Sequence, residues 1–386
     1  MKLSAYNVRT IKNDNRALIF NILRKAPASR ADIAKRTGLS KSSVTMITNT
    51  LISEGQIKEI GTDEVSIGRK PILLDITEDF RFAAGIILHR SDVTACLTNL
   101  KSEVIASTGR PISHFRSADD ILDYTSKAVY SLIDDTKLER DKCIGIGISS
   151  PGPLDRNAGI ILTPPGLPIL KNTFAVDGIK KRTGMKNVIL ENNAVLLAMR
   201  ENILQSGGKI NNFMSVIISQ GIGSAIVTNG EIYRGAGGYS GEIGHISVEV
   251  GGIKCDCGNT GCLERYVSLD AVKQKFGFDD YRDIVNKAYL ADEYATSILR
   301  YIACYLGCGL VTAVNLFDLD AVILHGDYSY RPQLLNSMIQ KYINEKSFVA
   351  QAHSIIVAAP SERLEKAEGN STAAILEHYF AQKLEV

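Results

Sequence analysis

Residues 241–264 read GEIGHISVEVGGIKCDCGNTGCLE. They hold His245, Cys255, Cys257 and Cys262, so three of the seven cysteines fall within eight residues. Thiolates and an imidazole are the donors that hold tetrahedral zinc without redox chemistry. Gly252, Gly258 and Gly261 supply the turns needed to fold so short a loop onto one ion. Buried, inert cysteines are the alternative and are common in proteins. A Cys-x-Cys-x4-Cys loop with an upstream His nevertheless has the spacing of a metal site. Four protein donors leave no position for water, so the expected zinc is structural and not hydrolytic. It would shape its neighbours Glu242 and Glu264, whose carboxylates can accept hydrogen bonds from hydroxyls.

The same stretch resembles the signature of the ROK family (repressors, open reading frames, sugar kinases). That signature is Glu-x-Gly-His followed by Cys-x-Cys-Gly-x-x-Gly-Cys-x-Glu, and every fixed position is present. The resemblance implies an α/β chain with a two-lobed, actin-like sugar-kinase body in which a zinc loop shapes a sugar pocket.

Composition sets the outer bounds. A chain of 386 residues is long enough for two or three domains with ample core. No run approaches the apolar length needed to span a bilayer. The N-terminus MKLSAYNVRTIKNDNR lacks an apolar signal core, so a cytoplasmic protein without membrane contact is expected. Cys96, Cys143, Cys304 and Cys308 sit in apolar segments and fit a reducing compartment. The net charge of +2 hides an asymmetry: residues 1–75 carry 13 Lys and Arg against 7 Asp and Glu, the remainder 31 against 35. A basic block on a slightly acidic body suggests a nucleic-acid module joined to something else.

The N-terminal block carries that module's pattern. Asn15 to Lys25 places Leu18, Ile19, Ile22 and Leu23 at helical spacing, and Pro27 ends the helix. Ser29 can cap a second helix, RADIAKRT, with Asp32 completing a capping box and Gly38 ending it. Ser40 then caps a third, KSSVTMITNTLISEG, whose Val44, Ile47 and Leu51 form one buried stripe. Two short helices joined by a Gly-containing turn are a helix-turn-helix, in which the start of the second helix faces base edges. Ser40, Lys41, Ser42, Ser43, Thr45 and Met46 lie at that start and can meet phosphates and bases. Gln56 to Ile60 and Ile72 to Ile76 read as two strands of a wing, whose loop offers Arg69 and Lys70 to a narrow A·T-rich minor groove. A three-helix protein-interaction module with a solvated basic face is the alternative. The agreement of caps, charge and wing favours DNA. The block resembles the winged helix-turn-helix that ROK repressors carry and ROK kinases lack.

The body alternates strands and helices, as an α/β fold does. Phe82 to Leu88, Val93 to Thr98 and Glu103 to Ala106 read as strands. A helical stretch, Asp119 to Leu138, precedes CIGIGISSPGPLD (143–155), a buried strand running into a Gly/Pro turn. Val188 to Leu190 is a further strand, Met214 to Ser219 and Ser224 to Thr228 form a hairpin, and helices dominate from Tyr281 to Phe317 before a strand at Ala321 to Leu324. The expected domains are the winged module at 1–75, a first lobe at 76–190 joined by a C-terminal helix at about 371–386, and a second lobe with the zinc loop at 191–370.

Against the kinases of the family, the phosphate-handling positions are altered. The Asp-x-Gly-Gly-Thr turn of those kinases corresponds here to Ile87 through Ser91, with His89 and Arg90 in place of the glycines. The second turn, usually Gly-Thr-Gly-Ile-Gly, reads Ser219 to Gly223 and keeps only its second half. A third loop, usually Gly-Gly-Gly, reads His325-Gly326-Asp327. The Glu-Asn-Asp-Ala-Asn motif reads Glu191-Asn192-Asn193-Ala194-Val195. An amide at 193 keeps the shape of the catalytic Asp but cannot act as a general base at neutral pH. No kinase activity and no ATP are therefore expected. The sugar side is mostly kept: by resemblance Asn192, Asn193, Glu242, His245 and Glu264 would line the pocket. The Pro-Asn-Leu loop of the family reads Thr163-Pro164-Pro165-Gly166-Leu167, without the Asn.

These readings converge on a sugar-responsive transcriptional regulator of the family's repressor branch, a repressor of carbohydrate-utilisation genes. Its expected partners are double-stranded, palindromic, A/T-rich operator DNA and a sugar or sugar phosphate, and it would act as a homodimer or dimer of dimers. A sugar kinase with an added DNA-binding module, or a repressor controlled by a protein partner, are the alternatives.

Overall fold

A computed structural model describes residues 8–62, 71–204, 210–361 and 367–381. Arg69 and Lys70, expected on the wing, lie outside the described residues. The chain clusters into two compact units, Met1–Leu196 with Glu365–Val386, and Leu197–Leu364.

The first unit opens with helix α1 (Val8–Leu23), which starts seven residues earlier than the sequence pattern places it. Ile19, Ile22 and Leu23 are buried as their spacing predicts, but Leu18 is 42% exposed and does not join the core. Strand β1 (Ala28–Ser29) leads into α2 (Arg30–Thr37), where Ser29 and Asp32 form the expected capping box. Gly38 closes α2 at φ +73, a conformation that costs glycine no Cβ strain. Helix α3 (Lys41–Ser53) is capped by Ser40, whose hydroxyl accepts from the Ser43 N–H. Strands β2 (Ile57–Thr62) and β3 (Ile72–Ile76) pair antiparallel, and β1 adds to the far side of β3.

The body of this unit is a five-stranded sheet. Strands β4 (Phe82–Leu88), β5 (Asp92–Asn99) and β6 (Val104–Pro111) form an antiparallel meander. Helix α4 (Ala118–Asp135) crosses to β7 (Cys143–Ser150), parallel to β4. Three two-residue strands, β8 (Leu154–Asp155), β9 (Ile160–Ile161) and β10 (Thr173–Phe174), make a separate small sheet before α5 (Ala175–Thr183). Strand β11 (Val188–Asn192) then pairs parallel to β7, and α6 (Asn193–Leu204) follows it. The order is β11-β7-β4-β5-β6.

The second unit repeats this plan. Strands β12 (Phe213–Ile218), β13 (Ile222–Thr228) and β14 (Glu231–Tyr233) form its meander. Helices α7 (Glu264–Val267), α8 (Leu269–Phe276), α9 (Tyr281–Tyr289) and α10 (Glu293–Phe317) lead to β15 (Ala321–Gly326), parallel to β12. Helix α11 (Gln333–Lys346) and β16 (Ile356–Ala358) complete it, in the order β14-β13-β12-β15-β16. Both sheets thus have a meander at one side and parallel crossovers at the other. This is the doubled plan of the actin-like sugar-kinase fold.

Helix α10 amends the sequence reading: its 25 residues are long and apolar enough to cross a membrane by length and composition. More than half of its most apolar window is buried, among Leu299, Ile302, Leu306 and Leu310 of the unit's core. Such a helix is what a core demands when it is covered on several sides.

The chain returns to the first unit for α12 (Ala373–Phe380). Its Ile375, Leu376 and Phe380 share a buried cluster with Ile19, Phe20, Leu51, Leu74 and Ile144. The winged module and the back of the body sheet are therefore parts of one continuous core. The segment just before α12 lies on β4 and β7, where a Cβ on Gly85 or Gly147 would collide with Ser371. Thr98 donates to Thr372 at 2.9 Å and fixes the same approach.

Candidate functional site

The His245 to Glu264 loop folds its four donors onto one point. One ligand atom from each of His245, Cys255, Cys257 and Cys262 lies within 4.8 Å of every other. His245 Nδ1 stands 3.7 Å from Cys255 Sγ, and Cys257 Sγ stands 3.6 Å from Cys262 Sγ. Donors about 2.1–2.3 Å from a tetrahedral ion are separated by roughly 3.4–3.8 Å, so these edges fit zinc. Local backbone makes the cluster. Isolated bridges Ser247 to Cys262 and Lys254 to Thr260 close the loop, and Cys255 N–H donates to Asn259 O at 2.9 Å. Gly261 sits at φ +74, and a Cβ there would run into the carbonyl of Glu249. Burial pushes the Cys262 thiol up to about 12, with Cys257 and Cys255 beside it adding to the rise. A nearby cation is what such a thiol needs in order to ionise. The cluster can hold a metal ion.

Packing fixes the loop to its unit. Cys262 and Leu263 are fully buried, and Tyr266 stacks on Tyr305 of α10 with centroids 4.5 Å apart and planes 11° apart. The Tyr266 hydroxyl accepts from the Ile253 N–H at 2.9 Å, and Tyr305 donates to Glu249 at 3.1 Å. Glu264 Oε2 accepts from the Ile222 N–H at 2.8 Å, tying α7 to the β12–β13 turn. Among the described residues its other oxygen accepts no hydrogen bond. Glu242 opens to solvent, yet surrounding protein displaces enough water to raise its carboxyl pKa; His245 opposes that rise and Glu264 adds to it. Glu242 also lines a cavity of about 460 Å³ with Tyr233, Tyr239, Thr312 and Leu316. Its lining is largely apolar, a feature the sequence reading did not include. His245 and Glu264 are not among its lining residues.

Asn192 and Asn193 belong to the first unit, at the junction of β11 and α6. Both Oδ1 atoms accept from the Ala194 N–H, at 2.8 and 2.9 Å, as a helix cap does. Among the described residues neither amide NH₂ donates a hydrogen bond. Asn192 Nδ2 lies over Gly152, where a Cβ would come within 3.0 Å. Beneath them Glu191, only 1% exposed, is neutralised by Arg156 at 2.9 Å. That ion pair holds the junction and was not anticipated from sequence.

The α3 start presents an exposed, mostly polar face. Ser40, Lys41, Ser42, Thr45 and Met46 are exposed and Ser43 is half-buried, while Val44, Ile47 and Leu51 point inward. The hydroxyls are positioned locally: Ser40 bonds Ser42 at 2.9 Å and Ser43 at 2.8 Å, and Thr45 donates to the Lys41 carbonyl. Met46 is 67% exposed, unusual for so apolar a side chain. Arg30 braces the helix from behind through Thr48, Asn49 and Glu59.

Known proteins share both parts. The family model described as "ROK family" matches residues 83–376, and "IclR helix-turn-helix domain" matches residues 17–60. A xylose repressor of Bacillus subtilis (strain 168) is 32% identical over 335 residues, 85% of each chain. The DNA-binding transcriptional dual regulator NagC of Escherichia coli (strain K12) is 30% identical over 360 residues, 89% of this chain and 88% of that protein. Among solved structures, a ROK family transcriptional regulator, homolog of the E. coli MLC protein, superposes with TM-score 0.79 at 26% identity, over 97% of this chain and 98% of that one. A ROK hexokinase from Thermus thermophilus matches with TM-score 0.65 at 23% identity, over 78% of this chain and 99% of that one, which bears on the fold alone.

Proposed function

The chain belongs to the ROK family, and from that premise we propose that it is a sugar-responsive DNA-binding transcriptional regulator, a repressor of carbohydrate-utilisation genes. The observation that carries this reading is the capped, exposed start of α3 on a chain that otherwise follows repressors nearly end to end. A kinase has no use for such a face. Lys41 would meet phosphate, and Ser42, Thr45 and Met46 would meet base edges. Arg69 and Lys70 would add minor-groove contacts. The operator is palindromic and A/T-rich, read by a homodimer or a dimer of dimers in the cytoplasm.

Zinc is the metal that fits the His245, Cys255, Cys257 and Cys262 donors, and its role is structural. Sugar hydroxyls are assigned to Asn192, Asn193, Glu242, His245 and Glu264. Amide and carboxylate groups suit vicinal hydroxyls because each pairs with a donor and an acceptor in turn. The body is a sensor and not an enzyme. Asn193 has no carboxylate to take a proton, and loss of such a base costs about two to four orders of magnitude. The sugar acts by binding the DNA-released state more tightly than the DNA-bound one.

The test is a Glu242→Ala variant assayed for operator binding with and without sugar. Operator binding should persist and the sugar response should vanish. A variant that still responds to sugar would remove Glu242 from the ligand site.

A further inference from the structure

The carboxyl ends of β4, β7 and β11 lie side by side, because Ile87 pairs with Ser149 and Ser150 pairs with Asn192 in parallel register. The crevice outside such strand ends is where α/β sheets bind ligands. Three segments leave the sheet there: His89-Arg90-Ser91 after β4, Pro151-Gly152-Pro153 after β7, and Asn193 at the start of α6. All belong to the first unit.

Arg90 is half-buried in this place and makes no hydrogen bond or ion pair among the described residues. Its Cδ and Nε lie 3.0 Å from where a Cβ on Gly166 would stand, so the side chain runs along the 163–167 loop across a bare backbone. That loop is bound to the β7 exit, with the Leu162 N–H donating to Pro153 O at 3.1 Å. Asp92, the nearest acid in sequence, already accepts from Ser91 and Thr94 and is no partner for the guanidinium. His89 beside it is also half-buried, and its ring likewise has no partner among the described residues.

A permanent cation held partly out of water without a counter-charge is costly, and an arriving anion offsets that cost. Guanidinium binds phosphate oxygens through two parallel N–H bonds, which an ammonium cannot match. The strands β4 and β11 are two spacings apart, roughly 10 Å.

We propose that Arg90, with His89 beside it, reads the phosphate of a phosphorylated sugar whose ring hydroxyls lie at Asn192 and Asn193. The sensor then selects sugar phosphates over the free sugars. This inference rests on the sugar-sensing reading above.

The test is calorimetric titration of the full chain with xylose, glucose and N-acetylglucosamine, each free and as its phosphomonoester, beside ATP and inorganic phosphate. One sugar phosphate should bind roughly tenfold to a hundredfold more tightly than its free sugar. Arg90→Ala should bring that affinity down to the free sugar's level, and Arg90→Lys should recover only part. An unchanged thermal midpoint shows that the variants fold. Equal affinity for free and phosphorylated forms overturns the inference while leaving sugar sensing intact, as does an Arg90→Ala protein that keeps the preference. ATP or inorganic phosphate binding as tightly as any sugar phosphate also overturns it. If no sugar binds in either form, the sugar-sensing reading fails and takes the inference with it.

Discussion

Phe20 of α1 and Phe380 of α12 meet with ring centroids 5.2 Å apart, joining the DNA-binding module to the last helix of the chain. Arg24 lies over the Phe380 ring at 4.9 Å, and both rings are essentially buried. Helix α12 also touches the body sheet, where Ile375 lies against Gly145 of β7. The winged module is therefore packed on the same element that backs the strands ending at Ser150 and Asn192. Truncating Phe380 to Ala should cost about 3–5 kcal/mol of first-unit stability, and Phe380→Leu clearly less. Urea denaturation of the full chain measures it. An Ala variant with an unchanged midpoint would show that these rings do not hold the module.

The four-donor loop predicts one zinc per chain by elemental analysis. Cys262→Ser should lose the metal and lower the melting temperature of the protein, because metal binding by such a loop adds to folding energy. Chelator treatment of the native protein should do the same. A Cys262→Ser protein that melts like the native one would mean that packing alone, through Tyr266 on Tyr305, holds the loop.

His325 supplies a pH dependence. It is 3% exposed, its Nε2 has no partner among the described residues, and burial lowers its pKa from 6.5 to about 4. Above pH 6.5 neither state binds the proton and the full stability is present. As pH falls from 6.5 towards 4, the unfolded chain takes up a proton that the folded one refuses. About 3 kcal/mol is lost across that window. His325→Leu should flatten this part of the stability profile. An equal slope in the variant would assign the acid sensitivity to other groups.

On the α3 face, Lys41→Ala should weaken binding to all DNA sequences alike and reduce the salt slope by about one. Met46→Ala should instead blunt discrimination at one base pair, since an exposed apolar side chain suits a thymine methyl. Competition assays on single-substitution operators separate the two. If Lys41→Ala changes sequence preference and leaves the salt slope alone, the helix docks in another register.

Much of this was legible locally. The Ser29–Asp32 box, Gly38 and Ser40 mark helix ends through contacts within a few residues, so sequence alone locates them. Strands β3, β4 and β7 are apolar runs that end where the pattern ends. The metal donors sit within 18 residues and meet through a single loop. Strand β1 was not legible, because Ala28 and Ser29 become a strand only by pairing with Leu74 and Leu73. The two-residue strands β8, β9 and β10 carry no period for the same reason. The expectation that no apolar run reaches spanning length fails at helix α10, because a core helix and a spanning helix share one composition. Nor does spacing reveal Arg156 beneath Glu191, or the meeting of Phe20 with Phe380, since both depend on contacts distant in sequence.

The most direct measurement is fluorescence anisotropy on DNA from the gene's own upstream region, against free and phosphorylated sugars, each with and without ATP. The protein should bind this DNA, one sugar or sugar phosphate should shift the affinity, and ATP should change nothing. Binding that no sugar alters, or a response that appears only with ATP, would contradict this.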